Sequence, residues 1–238
     1  MMNELTAKIF VTQLSLLKSI AELENVQRFF RDKDPKHKFL GVRMAAIFDL
    51  AKQFIEMPID EIEKLIGSEY YEARMGAVSI MDFQARNKKT TPLRKKELFD
   101  LYIKCHDKID NWDLVDRSAP YVVGGYLFDK PRDILFKLAK SDHAWERRTA
   151  IVSTYFFIRQ NDLSDTFRIA EILINDEHDL IQKVVGSWVR EAGKRDKLVL
   201  IEFLDNFASS MPMAMLRCAI EKLDLKEKRY YLEINKKK

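Results

Sequence analysis

Apolar residues recur at mixed three- and four-residue spacing along nearly the whole chain, as a helix with one buried face requires. Ile9, Leu14, Leu16, Leu17 and Ile20 open the pattern. It returns over residues 42–54, 59–65, 75–85, 94–106, 134–139, 149–159, 163–174, 180–192, 198–208 and 213–223. Short breakers separate these runs: Met57-Pro58, Gly67-Ser68, Thr90-Thr91-Pro92, Lys130-Pro131, Asn161-Asp162, Asp176-Glu177 and Met211-Pro212. Several read as helix starts, because Pro in the first turn, or Ser, Thr, Asp or Asn before it, suits N–H groups that lack an intrahelical partner. No stretch alternates apolar and polar positions as a strand does. The pattern predicts an all-α protein with more helices than a simple bundle uses.

Internal similarity specifies the architecture further. Segments 68–77 (SEYYEARMGA), 141–150 (SDHAWERRTA) and 176–186 (DEHDLIQKVVG) read alike. Each runs from an acidic turn into a helix, with Arg74, Arg147 or Lys183 three positions before the small residue Ala77, Ala150 or Gly186. Asp116, followed by Ala119, stands at the equivalent place with opposite charge. Successive anchors lie 42, 31 and 36 residues apart, and Arg217, 34 residues beyond Lys183, opens a last repeat. A period in this range built from helix pairs marks an α-solenoid such as HEAT or armadillo. The expected organisation is a single domain over residues 1–238: N-terminal helices in 1–38, repeats in 39–225 and a tail in 226–238. The small residue lets neighbouring helices approach, and the polar one before it faces the inner curve.

Composition narrows the class. With 7 Gly and 6 Pro in 238 residues, the chain lacks the turn formers that a sandwich or barrel needs. A net charge of +4 is modest, so clustering of the basic residues matters more than their sum. Cys105 and Cys218 show no metal or redox spacing and read as reduced thiols. No basic-then-apolar leader and no run of about 18 apolar residues is present. A soluble, cytoplasmic, monomeric protein is expected. His37, His106, His143 and His178 are isolated, so no metal is expected. No Gly-rich phosphate loop appears, Gly124-Gly125 reads as a turn or close-packing site, and no cofactor is expected.

Segments 39–44 (FLGVRM), 111–116 (NWDLVD), 141–151 (SDHAWERRTAI) and 183–194 (KVVGSWVREAGK), in this order and spacing, resemble the AlkD family of DNA alkylation-repair glycosylases over roughly residues 25–225. The resemblance implies stacked helix pairs forming a cationic groove that grips duplex DNA carrying an alkylated or distorted site. It implies hydrolysis of the glycosidic bond of purines made cationic by alkylation, without drawing the base into a deep pocket. On the matching positions Asp116 is the catalytic carboxylate, Trp112 lies beside it, and Arg148 holds the backbone near the lesion. The chemistry suits these residue types. Departure of a cationic purine leaves oxocarbenium character on the sugar, which a carboxylate stabilises. An indole face attracts a cation, and a guanidinium grips phosphate. Trp112 and Asp116 are four residues apart and share a helical face.

Other readings stand beside these. Asp116 also suits a helix-terminal charge or a repeat-stacking partner, and Trp112 fits the core as well as a groove wall. Asp113 reads as a cap or brace, and Trp145 as packing. Arg147 and Arg148 cannot share a helical face: repeat alignment points Arg147 inward, whereas the resemblance selects Arg148. Catalytic relatives carry Trp directly after the glycine of the fourth segment, where this chain has Ser187 and then Trp188. One residue turns a helical side chain by about 100°, which directs Trp188 to the interior. Asn111 stands where a further Trp is common. Arg43, Arg74, Lys88, Lys89, Arg147, Lys183, Trp188, Arg190 and Lys194 are the DNA-contact candidates, and the basic runs within 86–96 and 194–197 are read the same way as a set. The competing readings are a HEAT-like protein that binds distorted or branched DNA without catalysis, and a protein-interaction solenoid.

Overall fold

Helices make up the folded parts of the computed structural model, which describes residues 5–29 and 37–236. Among the described residues the only β-type pairing is an isolated bridge between Lys38 and Tyr70. The chain divides into two units, Met1–Val122 and Val123–Lys238. In each, helices stack on their sequence neighbours and on the next helix but one. This is the all-α solenoid of HEAT-like repeats that the period predicts. Among the described residues no helix is long and apolar enough to cross a membrane.

The first unit contains α1 (Ala7–Leu16), α2 (Ile20–Phe29), α3 (Met44–Gln53), α4 (Ile59–Ile66), α5 (Tyr71–Arg86), α6 (Pro92–Lys104) and α7 (Trp112–Ala119). Of the N-terminal segment 1–38, residues 1–4 and 30–36 lie outside the described residues. The helix starts follow the anticipated chemistry: Thr91 accepts a hydrogen bond from Arg94 N at 3.1 Å, with Pro92 in the first turn. Helix α5 is the centre of this unit, packed by α1, α3, α4, α6 and α7. It is therefore buried on nearly every side, and its polar residues are buried too: Glu72, Arg74, Ser79, Asp82 and Gln84. Apolar spacing places its start at residue 75, one turn late, because Glu72 and Arg74 look like surface residues. Each is bonded instead. The Glu72 carboxylate accepts from the N–H groups of Leu40 at 3.0 Å and Gly41 at 2.8 Å, which offsets the cost of burying its charge.

In the second unit, α8 (Gly125–Leu127) continues from a π-helical turn at Pro120–Gly124. It is followed by α9 (Asp133–Leu138), α10 (Ala144–Arg159), α11 (Ser164–Ile172), α12 (Asp179–Gly193), α13 (Lys197–Phe207), α14 (Met213–Ala219) and α15 (Leu225–Lys236). Helix α11 lies on α10 and α12, while α10 packs on α12 and α12 on α14. The small repeat residues sit at these contacts. Ala150 is fully buried, and a Cβ at Gly186 would collide with the carbonyl oxygen of Met215 on α14. Gly124 is likewise a close-packing site, since its Cβ would strike Ser153 O. Helix α15 occupies the segment that the sequence pattern leaves as a tail. Asn235 fastens it by donating to Ala208 O at 2.6 Å and Met211 O at 2.8 Å. Lys237 and Lys238 lie outside the described residues.

One hydrogen bond repeats through the stack. Arg74 donates to Ser68 O at 3.1 Å, Arg147 to Ser141 O at 2.9 Å and Gln182 to Asp176 O at 2.9 Å, each reaching six residues back to the turn before its helix. The structural repeat register is thus 74, 147 and 182, one residue before Lys183.

Candidate active site

Asn111 is extended, with φ −147°, and α7 starts at Trp112. This places Trp112, Asp113 and Asp116 along one side of α7, where all three line a cavity of about 500 Å³ inside the first unit. Its walls include Val42 and Phe48 from α3 and the segment before it, and Tyr71 from α5. Trp112 is 39% exposed and Asp116 half-buried, so both are accessible from solvent. Asp113 is more enclosed. Its Oδ2 accepts from the Tyr71 hydroxyl, and its Oδ1 accepts from Asn111 Nδ2 and Leu114 N, both at 2.9 Å. Burial holds the Asp113 carboxyl above the usual carboxylate range, and the nearby Asp116 charge pushes the same way. Burial also holds the Tyr71 phenol well above its ordinary value, reinforced by Asp113, so Tyr71 remains a hydroxyl donor.

The cation at this cavity is already committed. The Arg117 guanidinium lies 4.7 Å from the centre of the Phe48 ring and 4.6 Å from that of Phe83. It donates to fully buried Asp82 at 2.7 Å and to Ser79 Oγ at 3.1 Å. Asp82 also accepts from Arg86 at 2.8 Å. Burial lowers the Arg117 pKa and raises that of Asp82, in each case against the pull of the partner charge. Among the charged residues lining the cavity, the carboxylates of Glu22, Glu72, Asp113 and Asp116 outnumber the single guanidinium and give it an anionic character. Apolar and aromatic walls with carboxylates at one side suit a planar cationic group, through ring-face attraction and charge.

The other sequence-predicted residues fall into distinct groups. Arg74 and Arg148 are only 4% and 6% exposed, which corrects their reading as DNA contacts or backbone clamps. Arg74 also bonds Asp110 at 3.2 Å, and Arg148 donates to Leu180 O at 2.8 Å. Arg147 is corrected in the same way, because its guanidinium grips Asp176 at 2.6 Å in addition to the Ser141 carbonyl. A basic residue at this repeat position ties one repeat to the turn of the next. Trp188 is half-buried. Its Nε1 donates to Val152 O at 3.3 Å and its ring packs on Tyr155. Arg190 pairs with Glu221 and Glu191, Lys194 with Glu191, and the exposed Arg43 with Glu22. Lys88, Lys89 and Lys183 are exposed. Trp145 stacks edge-on to His178.

Sequence reasoning missed Tyr71, Phe48 and Arg117 at the cavity, and Tyr155 and Arg159 beside Lys194 and Arg195 in a second cavity of about 220 Å³. Arg117, adjacent to Asp116, was the most findable. Nothing in the sequence marks which tyrosine of Tyr70-Tyr71 points inward. Among the described residues no group of three or more His, Cys, Asp or Glu side chains is arranged to hold a metal ion.

Comparison with known proteins completes the picture. Sequence comparison with curated proteins gives no match. A solved structure titled a predicted DNA alkylation repair enzyme from Enterococcus faecalis superposes with a TM-score of 0.68 at 15% identity, covering 87% of this chain and 97% of that one. At that identity the likeness establishes a shared fold. The sequence profile of the DNA alkylation repair enzyme family matches residues 11–223, nearly the whole chain. The chain belongs to the DNA alkylation repair enzyme family.

Proposed function

We propose that this protein is a DNA glycosylase that hydrolyses the N-glycosidic bond of cationic alkylated purines in duplex DNA. The observation that carries the proposal is the accessible pair Trp112 and Asp116 at the mouth of an anionic, aromatic-walled cavity. Asp116 stabilises the positive charge that develops on the deoxyribose as the base leaves. Trp112 offers its ring face to the cationic base or sugar and keeps water from its far side. A purine that already carries positive charge departs as a neutral base, so the reaction needs little help from a general acid. Exposed Lys88, Lys89 and Lys183 are the proposed phosphate contacts. Family membership supports DNA as the partner.

The second reading is a HEAT-like DNA-binding protein without glycosylase activity. It is favoured by the buried Arg148, which donates to Leu180 O, and by Trp188, whose indole N–H is taken by Val152 O. Incubation with methylated duplex DNA separates the two. We expect release of 7-methylguanine and 3-methyladenine that Asp116→Asn lowers by at least about a hundredfold, the scale for losing charge stabilisation in a transition state. Salt-sensitive DNA binding with no base release supports the second reading. No DNA binding at low salt removes both.

A further inference from the structure

We propose that Tyr71 and Asp113 are positioning residues for the α7 site; the inference rests on the glycosylase reading above. Asp116 and Trp112 belong to the first turns of α7, where the backbone N–H groups lack intrahelical partners. Its N-terminal turn is held from α5. The Tyr71 side chain is 2% exposed, and its ring packs between Phe39, at 5.6 Å, and His37, at 6.2 Å. The phenol therefore has a fixed place, and its hydroxyl donates to Asp113 Oδ2. The other Asp113 oxygen takes Asn111 Nδ2 and the Leu114 N–H. One carboxylate thus ties the residue before α7, its first turn and α5 together. Trp112 precedes this knot by one residue, and Asp116 follows it on the same helical side.

An ordinary helix cap needs none of this. Asp113 is a residue inside the first turn of α7, and satisfying one N–H does not require a buried phenol from another helix. The carboxylate is also kept where burial disfavours its charge. Charged groups lining the cavity with it are Glu22 from α2, Glu72 from α5, and Asp116 and Arg117 on α7, and the Arg74 guanidinium lies 5.9 Å from the centre of the Tyr71 ring. Arg117 is shared with Asp82. Asp113 therefore adds a second carboxylate beside Asp116 in the cavity lining. That arrangement costs stability and strengthens attraction for a cation in the cavity.

Two conservative variants separate geometry from charge. Tyr71→Phe keeps the ring and removes the donor. Asp113→Asn keeps the shape and removes the charge, with its Nδ2 able to donate to the Tyr71 oxygen. Steady-state base release from methylated duplex DNA gives kcat and KM for each, with thermal melting to confirm folding. We expect both variants to lose about ten- to a hundredfold in kcat, with KM within about twofold of the parent, because phosphate contacts lie elsewhere. The acid limb of the parent's pH–rate profile that Asp113 causes should be absent in Asp113→Asn. An activity-independent reading comes from the Trp112 indole N–H resonance, assigned with Trp112→Phe. It should shift or broaden in Tyr71→Phe and stay near the parent position in Asp113→Asn. Parent-like kcat in either variant overturns the proposal, as does an unmoved Trp112 resonance in Tyr71→Phe. If the parent protein itself releases no base, the glycosylase reading has failed, and the Trp112 resonance alone decides whether the brace exists.

Discussion

At Asp113 function and stability pull apart. Burial raises its folded-state pKa, so the ionised form is destabilising above that value. The penalty is fully present above the folded pKa and disappears as pH falls through it toward the ordinary carboxylate range of about 4. We therefore expect Asp113→Asn to melt higher than the parent at neutral pH, with the two curves converging on acidification. A lower melting temperature for the variant at neutral pH would refute this and make Asp113 a structural anion. The arginines teach the opposite lesson. Arg74, Arg147 and Arg148 resemble a phosphate-gripping set in sequence, yet each donates to a backbone carbonyl inside its own unit. A guanidinium tied to such a carbonyl acts as a brace, since baring it would leave the carbonyl without that partner.

At the level of elements, the first unit is organised by the charges buried along α5. Asp82 is fully buried and holds Arg117 from α7 and Arg86 from its own helix. Both desolvation effects oppose ionisation, so the pair persists because each charge answers the other and two phenylalanine rings flank the guanidinium. Removing one partner leaves the other uncompensated. Asp82→Ala should cost about 3–5 kcal/mol in urea unfolding, the scale for breaking a buried pair. A loss under about 1 kcal/mol would put this pair with ordinary surface bridges. The same contact seats α7 on α5, so Asp82 and Tyr71 hold opposite ends of the helix that carries Asp116.

For the molecule as a whole, net charge says little about DNA binding, because many of its cations are internally paired. What bears on phosphate contact is which lysines remain exposed. If Lys88 and Lys89 each neutralise a phosphate, replacing both with Ala should reduce the slope of log affinity against log salt by about 2 in duplex binding. An unchanged slope would place them off the DNA. The loss should be similar for unrelated duplex sequences, since backbone contacts carry no base information.

Much of this was legible in the sequence. Helical spacing, scarce Gly and Pro, and a recurring small residue gave the class and the repeat, because a helix that buries one stripe must write that stripe into its residues. Tertiary structure alone decided the rest. A charged residue in sequence looks the same whether it faces water or a buried partner, so the roles of Arg74, Arg148 and Asp82 could not be read. The cavity behind α7 joins residues as distant as Glu22, Tyr71 and Asp116, and no local pattern records which surfaces a chain will close upon.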